Sequence, residues 1–372
     1  MAIRSGIYSN VPSFPSAYYQ SNGNISASGQ TNVVVPAMDL DIGGSSYRLG
    51  DAATLSINTS TNWDDISVTD YSSAANRAGK DFYVYACQPE SGITPTFLLS
   101  PNSTYPSGYT ASNSRKIGGF HTLCGSVGTI SGHSLTGYLT GSVLPYSVWD
   151  LKHRSASGSN IGQVYIPEIN KWVGIYFASG TSAAPTIVFG GTILDTITYF
   201  ASYAACRVLK GQLPKDSEFA AFAAGSNEAT NILGSADPVT VTAAVDTAGR
   251  RMISNYGVES AAGSMWQWLC DTSYRFNGAT AHTHSVTVSG DPQTVTSGNA
   301  SADVAPAWSW KANTGGKGSL YTQGTYGTTK LFAGGHWDHG AGCGSRARSA
   351  AYYPWTTFSI LGFRPIFNNI EK

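Results

Sequence analysis

Charge is scarce in this chain. Asp, Glu, Lys and Arg make up 12% of 372 residues, and 22 basic residues balance 22 acidic ones to a formal net charge of +0. A protein that tracks a polyanion needs a basic surplus to release counterions. No run of Lys and Arg supplies one, so no nucleic-acid partner is expected. Apolar runs of membrane-spanning length are missing too, which leaves no membrane insertion to expect. Behind Met1-Ala2-Ile3-Arg4-Ser5 there is no apolar signal core, so synthesis and folding in a cytoplasm are expected. The 5 cysteines, spread from Cys87 to Cys343 without a C-x-x-C pair, fit neither a disulfide framework nor a zinc module. No G-x-S-x-G elbow occurs, and Gly315-Gly316-Lys317-Gly318 lacks the rest of a phosphate-cradling loop. No carboxylate pair of the glycosidase kind stands out, and Glu218 and Glu228 read as solvated or capping residues of a helix. Neither a cofactor nor catalysis is expected.

What is present is small and aromatic: 42 Gly, 21 Tyr, 14 Phe and 9 Trp. Residues 1–30 lack periodicity and read as an N-terminal arm or attachment segment. From 31 to 155 the text is short strands and turns, which predicts a β-sandwich domain. Met38, Leu40 and Ile42 alternate with Asp39 and Asp41, the pattern of a half-buried strand. Phe82 to Cys87 is an unbroken apolar run, as in a strand covered on both faces, and strands over Thr96 to Leu99 and Lys116 to His121 follow. A Ser/Gly stretch, Ser155 to Asn160, marks a boundary. Beyond it, Ile193, Ile197, Phe200, Ala204 and Val208 predict a helix over 193–209 closed by Gly211. A second, shorter helix is expected from Leu213-Pro214 to a stop at Gly225. Gly- and Trp-rich loops and short strands occupy the rest. The fold class is α+β.

Two histidine groups invite a metal reading. His282-Thr283-His284 sets two imidazoles on one strand face, a spacing that can hold a metal where three chains meet on an axis. It reads first as the polar face of an exposed hairpin. His336-Trp337-Asp338-His339 lacks a further ligand at a telling spacing and reads as polar residues flanking a buried Trp. From His336 to Phe363 the chain mixes Tyr352, Tyr353, Trp355, Phe358, Ile360 and Leu361 with small residues, broken by Gly340, Gly342, Gly344 and Pro354. Rigid rings on loops are the composition of a recognition surface.

The order of several motifs carries a resemblance. Leu213-Pro214, Glu218-Phe219, Met265-Trp266-Gln267-Trp268, Gly334-Gly335-His336-Trp337, Gly344-Ser345-Arg346 and Gly362-Phe363-Arg364 follow one another as in C-type-lectin folds of the formylglycine-generating-enzyme type. Upstream, Pro106-Ser107-Gly108-Tyr109-Thr110, Ser114 to His121 and Tyr146 to Lys152 extend the likeness, as does Asn313 to Tyr321. Together, from about residue 80 to 364, they resemble the phage major tropism determinants. That family comprises fibre-tip receptor-binding proteins diversified by a retroelement. The first seventy residues fall outside the resemblance.

The resemblance implies a C-terminal C-type-lectin-like domain over 156–372, a candidate variable region at 331–364, and an inserted β-hairpin at 279–311 beside the binding face. It implies a variable face of His336, Asp338, Gly340, Gly342, Ser349, Ala351, Tyr352, Thr356, Phe358, Ile360 and Leu361, pointing outward. Its implied scaffold is Trp266, Trp268, Trp337, Gly344, Arg346, Gly362 and Arg364: Trp for burial, Gly for positive-φ turns, Arg as a clamp on loop carbonyls. Adenine mutagenesis of AAC codons never yields Lys, Glu, Gln, Met or Trp, and none of the variable positions carries one. Implied partners are a host cell-surface receptor (protein or glycan), the virion tail fibre and two further copies in a homotrimer. The implied location is the virion. Two departures stand out: Lys215 replaces a helix-capping hydroxyl, leaving Asp216 as the expected cap, and Cys343 lacks the nearby second cysteine that a formylglycine-generating oxidase needs. Such an oxidase and a structural virion spacer remain the alternatives.

Overall fold

A computed structural model describes residues 19–275, 283–288, 291–296, 320–321, 327–350 and 352–371, with the backbone alone for 273–275, 283–288, 291–296, 320–321 and 327–328. His282 and Ala351 lie outside the described residues, as does the side chain of His284. The fold is α+β, rich in strands, with few helices. No helix among the described residues is long and apolar enough to cross a membrane. The chain folds into two compact units: Met1–Ser126, Tyr138–Arg154 and Ile370–Lys372 form one, Val127–Gly137 and Ser155–Asn369 the other.

In the first unit the alternation at Met38–Ile42 gives a strand with Met38, Leu40 and Ile42 buried, paired antiparallel with Tyr19–Ser21 and Ser45–Leu49. Tyr19–Ser21 and Ser26–Ser28 are therefore strands within sheets, not part of an extended arm. Their short polar sequences carry no periodicity, and backbone pairing with stronger neighbours orders them. The apolar run Asp81–Cys87 lies between Thr96–Ser100 and Ser114–His121. Phe82, Val84 and Ala86 enter a core with Val33, Leu40, Leu99 and Phe120, while Tyr83, Tyr85 and Cys87 pack with Leu98, Tyr109 and Trp149 on the opposite face. Both faces of that strand are covered.

In the second unit the long helix is shorter than its apolar spacing suggests. It runs Tyr199–Val208, with Thr198 Oγ1 accepting from Ala201 N at 3.1 Å. Ile193 and Leu194 instead give their amides to Val239 O and Ala178 O, and Thr196 has φ 52°, so helix cannot extend upstream. At the other end Lys210, not Gly211, takes the left-handed position (φ 61°). Gly211 is required for another reason: a Cβ there would lie 2.7 Å from the Phe367 ring. The second helix, Asp216–Phe222, is capped by Glu218 Oε2, which accepts from Lys215 N at 2.7 Å. Asp216 does not cap it. Its carboxylate faces Arg348 Nε, because pairing a buried guanidinium outweighs one amide bond.

Trp266–Arg275 is the longest strand of a five-stranded sheet whose central strand is Gly327–Ala333. It pairs antiparallel with Gly327–Ala333 and parallel with Leu361–Gly362, and Arg348–Ser349 joins beyond Gly327–Ala333. Trp268, Phe332, Leu361 and Phe363 fill the core against Ala205, Cys206 and Leu213. Within 279–311, Thr283–Val288 and Asp291–Thr296 pair antiparallel, with His284 opposite Val295.

Candidate functional site

Buried charges build the framework around the loops between Ala333 and Leu361: Arg348 and Glu228 bond those loops directly, and Arg364 bonds the neighbouring segments. Arg364 is fully buried and donates to Gly174 O at 2.8 Å, Glu259 O at 2.7 Å, Gln267 Oε1 at 3.3 Å and to Ile175 O. Burial pulls its pKa down to about 9, opposed by nearby Glu259, so the group stays charged at neutral pH. Arg348, equally buried, donates to Ser345 O and Ala347 O at 2.9 Å each and to Asp216, over the Phe219 ring at 4.8 Å. Glu228 receives Ser345 N at 3.0 Å and the Ser345 hydroxyl. Arg346, expected as a clamp, lies nearer the surface. The bonds to the loop carbonyls of Ser345 and Ala347 come from Arg348, two residues along.

Glycine permits the entry turn. Gly334 and Gly335 have φ 99° and 82°, and a Cβ on Gly335 would lie 2.6 Å from Cys343 Sγ. Gly344 has φ 148°. Gly362 is not a positive-φ turn. It sits beside Gln267 in the parallel bridge, where a Cβ would press on Phe177 at 3.3 Å. Cys343 is buried, with its thiol pushed up to about 12 by desolvation and directed at His336 O at 3.3 Å. No disulfide joins any of the five cysteines.

The expected variable residues divide. Asp338, Gly340 and Phe358 are exposed; His336, Tyr352, Thr356 and Ile360 are half-buried. Gly342, Ser349 and Leu361 are buried, contrary to an outward-pointing reading. Ser349 lies in the sheet opposite Phe332, Leu361 enters the core opposite Trp266, and a Cβ on Gly342 would lie 2.8 Å from the His339 ring. The sequence offers no sign of this, since period-2 burial cannot be read from two-residue strands.

Trp266 and Trp268 are core residues as expected, whereas Trp337 is only half-buried. Its carbonyl, held by Asn231 Nδ2, makes the structural contact. His336 and His339 are not solvated flanking residues. Their rings stack at 5.2 Å and 9°, and His339 also lies 5.2 Å from Trp266. Desolvation, then repulsion from His336, pulls the His339 pKa down to about 4 against the pull of Asp338. His336 is lowered by burial as well. Both imidazoles are neutral at pH 7. No group of three or more His, Cys, Asp or Glu suited to a metal occurs among the described residues.

Aromatic rings form the outer surface. Tyr352 stacks on Phe332 at 5.8 Å and meets Phe358 at 5.0 Å. Tyr353 stacks on Trp355 at 4.9 Å and 10°, and Trp355 is 63% exposed, Phe358 43%. The loop is tied to the helix start by Tyr199 N to Pro354 O at 2.9 Å and Thr196 N to Phe358 O at 3.2 Å. The exposed rings of Phe200 and Tyr203 continue the surface along that helix. Trp355 belongs to the aromatic mix that the sequence already reads as a recognition surface, whereas the exposure of Phe200 and Tyr203 escapes it. A polar neighbourhood, Thr356-Thr357 after Pro354, is the available signal for Trp355. Such a surface can offer flat apolar contact, and no acid–base pair lies in it.

Comparison with known proteins adds the following. Residues 40–150 match the family model for the Mtd second domain. The tail fiber receptor-binding protein of Bordetella phage BPP-1 is 28% identical over 316 residues, 79% of this chain and 72% of that protein. The solved major tropism determinant P3c variant superposes with a TM-score of 0.66 at 22% identity, covering 95% of this chain and 86% of that one. The M1 variant gives 0.65 at 22% identity, covering 94% and 83%. The chain is thus similar to the phage major tropism determinants: residues 40–150 match the Mtd second domain, and the fold of the solved P3c variant extends over 95% of the chain.

Proposed function

We propose that this chain is the receptor-binding protein of a phage tail fibre, carried on the virion as a homotrimer, and that it attaches to the host cell surface without catalysis. The observation that carries the reading is the exposed aromatic surface of Trp355 and Phe358, on a loop tied to the helix start through Pro354 O and Phe358 O. Contiguous exposed apolar rings mark interaction surfaces, and a framework of backbone bonds lets the outer side chains change without unfolding. The name of the Bordetella phage relative, a tail fiber receptor-binding protein, supports the same role. In this reading 31–155 is a β-sandwich domain and 156–372 the receptor-binding domain. Residues 331–364 are its variable region, and its contact residues are His336, Asp338, Gly340, Tyr352, Thr356, Phe358 and Ile360, joined by Trp355. Gly342, Ser349 and Leu361 support them from beneath.

Attachment of purified protein to host cells tests the proposal. Phe358→Ala and Trp355→Ala should abolish attachment while leaving the fold intact. Retained attachment in both, with loss on a surface change within 40–150, would place the site elsewhere.

A further inference from the structure

The first unit contains a cleft that the receptor-binding reading does not use. It measures about 540 Å³ and is lined by Tyr19, Ser21, Arg115, Leu151, Lys152 and Arg154, with Gln20 at its edge. Three of these side chains are cations and none is an acid. Buried Asp41 acts on Arg115 and offsets it, so the excess positive charge of the cleft rests on Lys152 and Arg154.

A second buried carboxylate, Asp150, does not neutralise that excess. Asp150 is fully buried, and both oxygens are committed to backbone amides: Oδ2 to Ile25 N at 2.8 Å, Oδ1 to Lys152 N at 2.7 Å and His153 N at 2.8 Å. Those bonds fix the backbone from which Lys152 and Arg154 project. Arg154 Nε is shielded from solvent and has no hydrogen-bond partner. Lys152 Nζ makes only a 3.3 Å bond to Ser21 O, leaving donors over. Arg115 is positioned by a 3.0 Å bond to Asp41 O and by the Tyr19 ring, 5.8 Å from its guanidinium carbon. The Tyr19 hydroxyl, its pKa pushed up to about 12 by burial and then by Asp150, stays protonated. Tyr19 and Leu151 supply an apolar wall.

We propose that this cleft is a binding site for a polyvalent oxyanion, a phosphate-bearing or multiply carboxylated group gripped by Arg154, Lys152 and Arg115. The Arg154 fork and the Lys152 ammonium, with Arg115 adding positive charge beside them, match an acceptor with several oxygens and more than one negative charge, because the fork takes two oxygens in plane and the ammonium offsets residual charge. A cleft of this size admits a small organic anion whole.

Isothermal titration of the full chain with pyrophosphate, and separately with citrate, tests the site at constant ionic strength set by chloride. Saturable binding of at least one is expected, and which of them binds tighter identifies phosphate or carboxylate as the preferred chemistry. Arg154→Gln should weaken it about tenfold or more, and Lys152→Gln, whose side chain is partly solvated, should do so as well. Arg48→Gln, a half-buried cation outside the cleft, should leave it unchanged. Melting of each variant without ligand reports whether it folds, and if Arg154→Gln does not, Lys152→Gln carries the test. Absence of saturable binding for both anions, or equal affinity in wild type, Arg154→Gln and Lys152→Gln, would overturn the proposal.

Discussion

Replacing Arg364 by Met keeps the length and apolar stem of the side chain and removes its donors. The guanidinium serves three backbone carbonyls and Gln267 Oε1, and lies 4.7 Å from the Phe177 ring. Hydrogen bonds to a charged group contribute roughly 1.5–3 kcal/mol each, and a buried acceptor left alone costs on the order of 1–3 kcal/mol. Against this stands the desolvation of the guanidinium, several kcal/mol in order of magnitude, which Met relieves. The bonds outnumber the single penalty, so Arg364→Met should lower stability by about 3–5 kcal/mol. Phe358→Ala sets the contrast: a Phe still 43% exposed has about 1 kcal/mol of apolar burial left to lose. Urea unfolding followed by tryptophan fluorescence measures both. If Arg364→Met came within about 1 kcal/mol of wild type, or if Phe358→Ala cost as much, the division into clamped framework and replaceable surface would fail.

Tyr352→Ala should cost about 2 kcal/mol, more than Phe358→Ala, because Tyr352 packs on Phe332 within the core cluster; the same urea titration checks it. The stacked histidines give a pH dependence. His339 binds a proton more readily unfolded than folded, so its contribution is complete above pH 6.5 and is lost as pH falls toward about 4. The largest possible change is about 3 kcal/mol, and on the order of half that for a partly solvated ring. Melting curves from pH 4 to 7 should show the slope, and His339→Asn should flatten it. Light scattering should return a trimer mass at micromolar concentration, and a monomer mass would overturn the proposed assembly.

Much of the fold is legible in the sequence because alternation and apolar runs survive tertiary packing. Phe82–Cys87 is covered on both faces as its apolar run suggests, whereas Met38–Ile42 buries Asp41 as well as Met38, Leu40 and Ile42, more than a half-covered strand would. The helix start departs from the apolar spacing for an identifiable reason. Ile193 and Ile197 fit the helical period, but Thr198 is a capping residue, and an N-cap outranks periodicity in fixing where the first turn begins. The early strands Tyr19–Ser21 and Ser26–Ser28 leave no trace in the pattern, since a three-residue edge strand without apolar alternation is defined by its neighbours rather than by its own residues.

The site divides along the same line. Glycines and buried tryptophans announce a framework through their residue type, which is why Gly344, Trp266 and Trp268 are identifiable. The direction of a side chain on a two-residue strand has no such signature. The resemblance puts Leu361 and Ser349 on the face, and sheet pairing turns both inward. Arg346 and Arg348 are equivalent by composition, and only the position of Asp216 on the neighbouring helix selects Arg348 as the clamp. Trp355 shows the converse. Its residue type argues for a core, yet it follows a buried proline at a turn and its exposed ring rests on Tyr353. A large ring held at the surface by a second ring loses little side-chain entropy when a partner covers it. An exposed Trp therefore adds contact area at the place where the clamped loop leaves the core. The surface depends on that rigidity: the same rings on an unclamped loop would lose ordering entropy on every encounter, and weak contacts could not offset it.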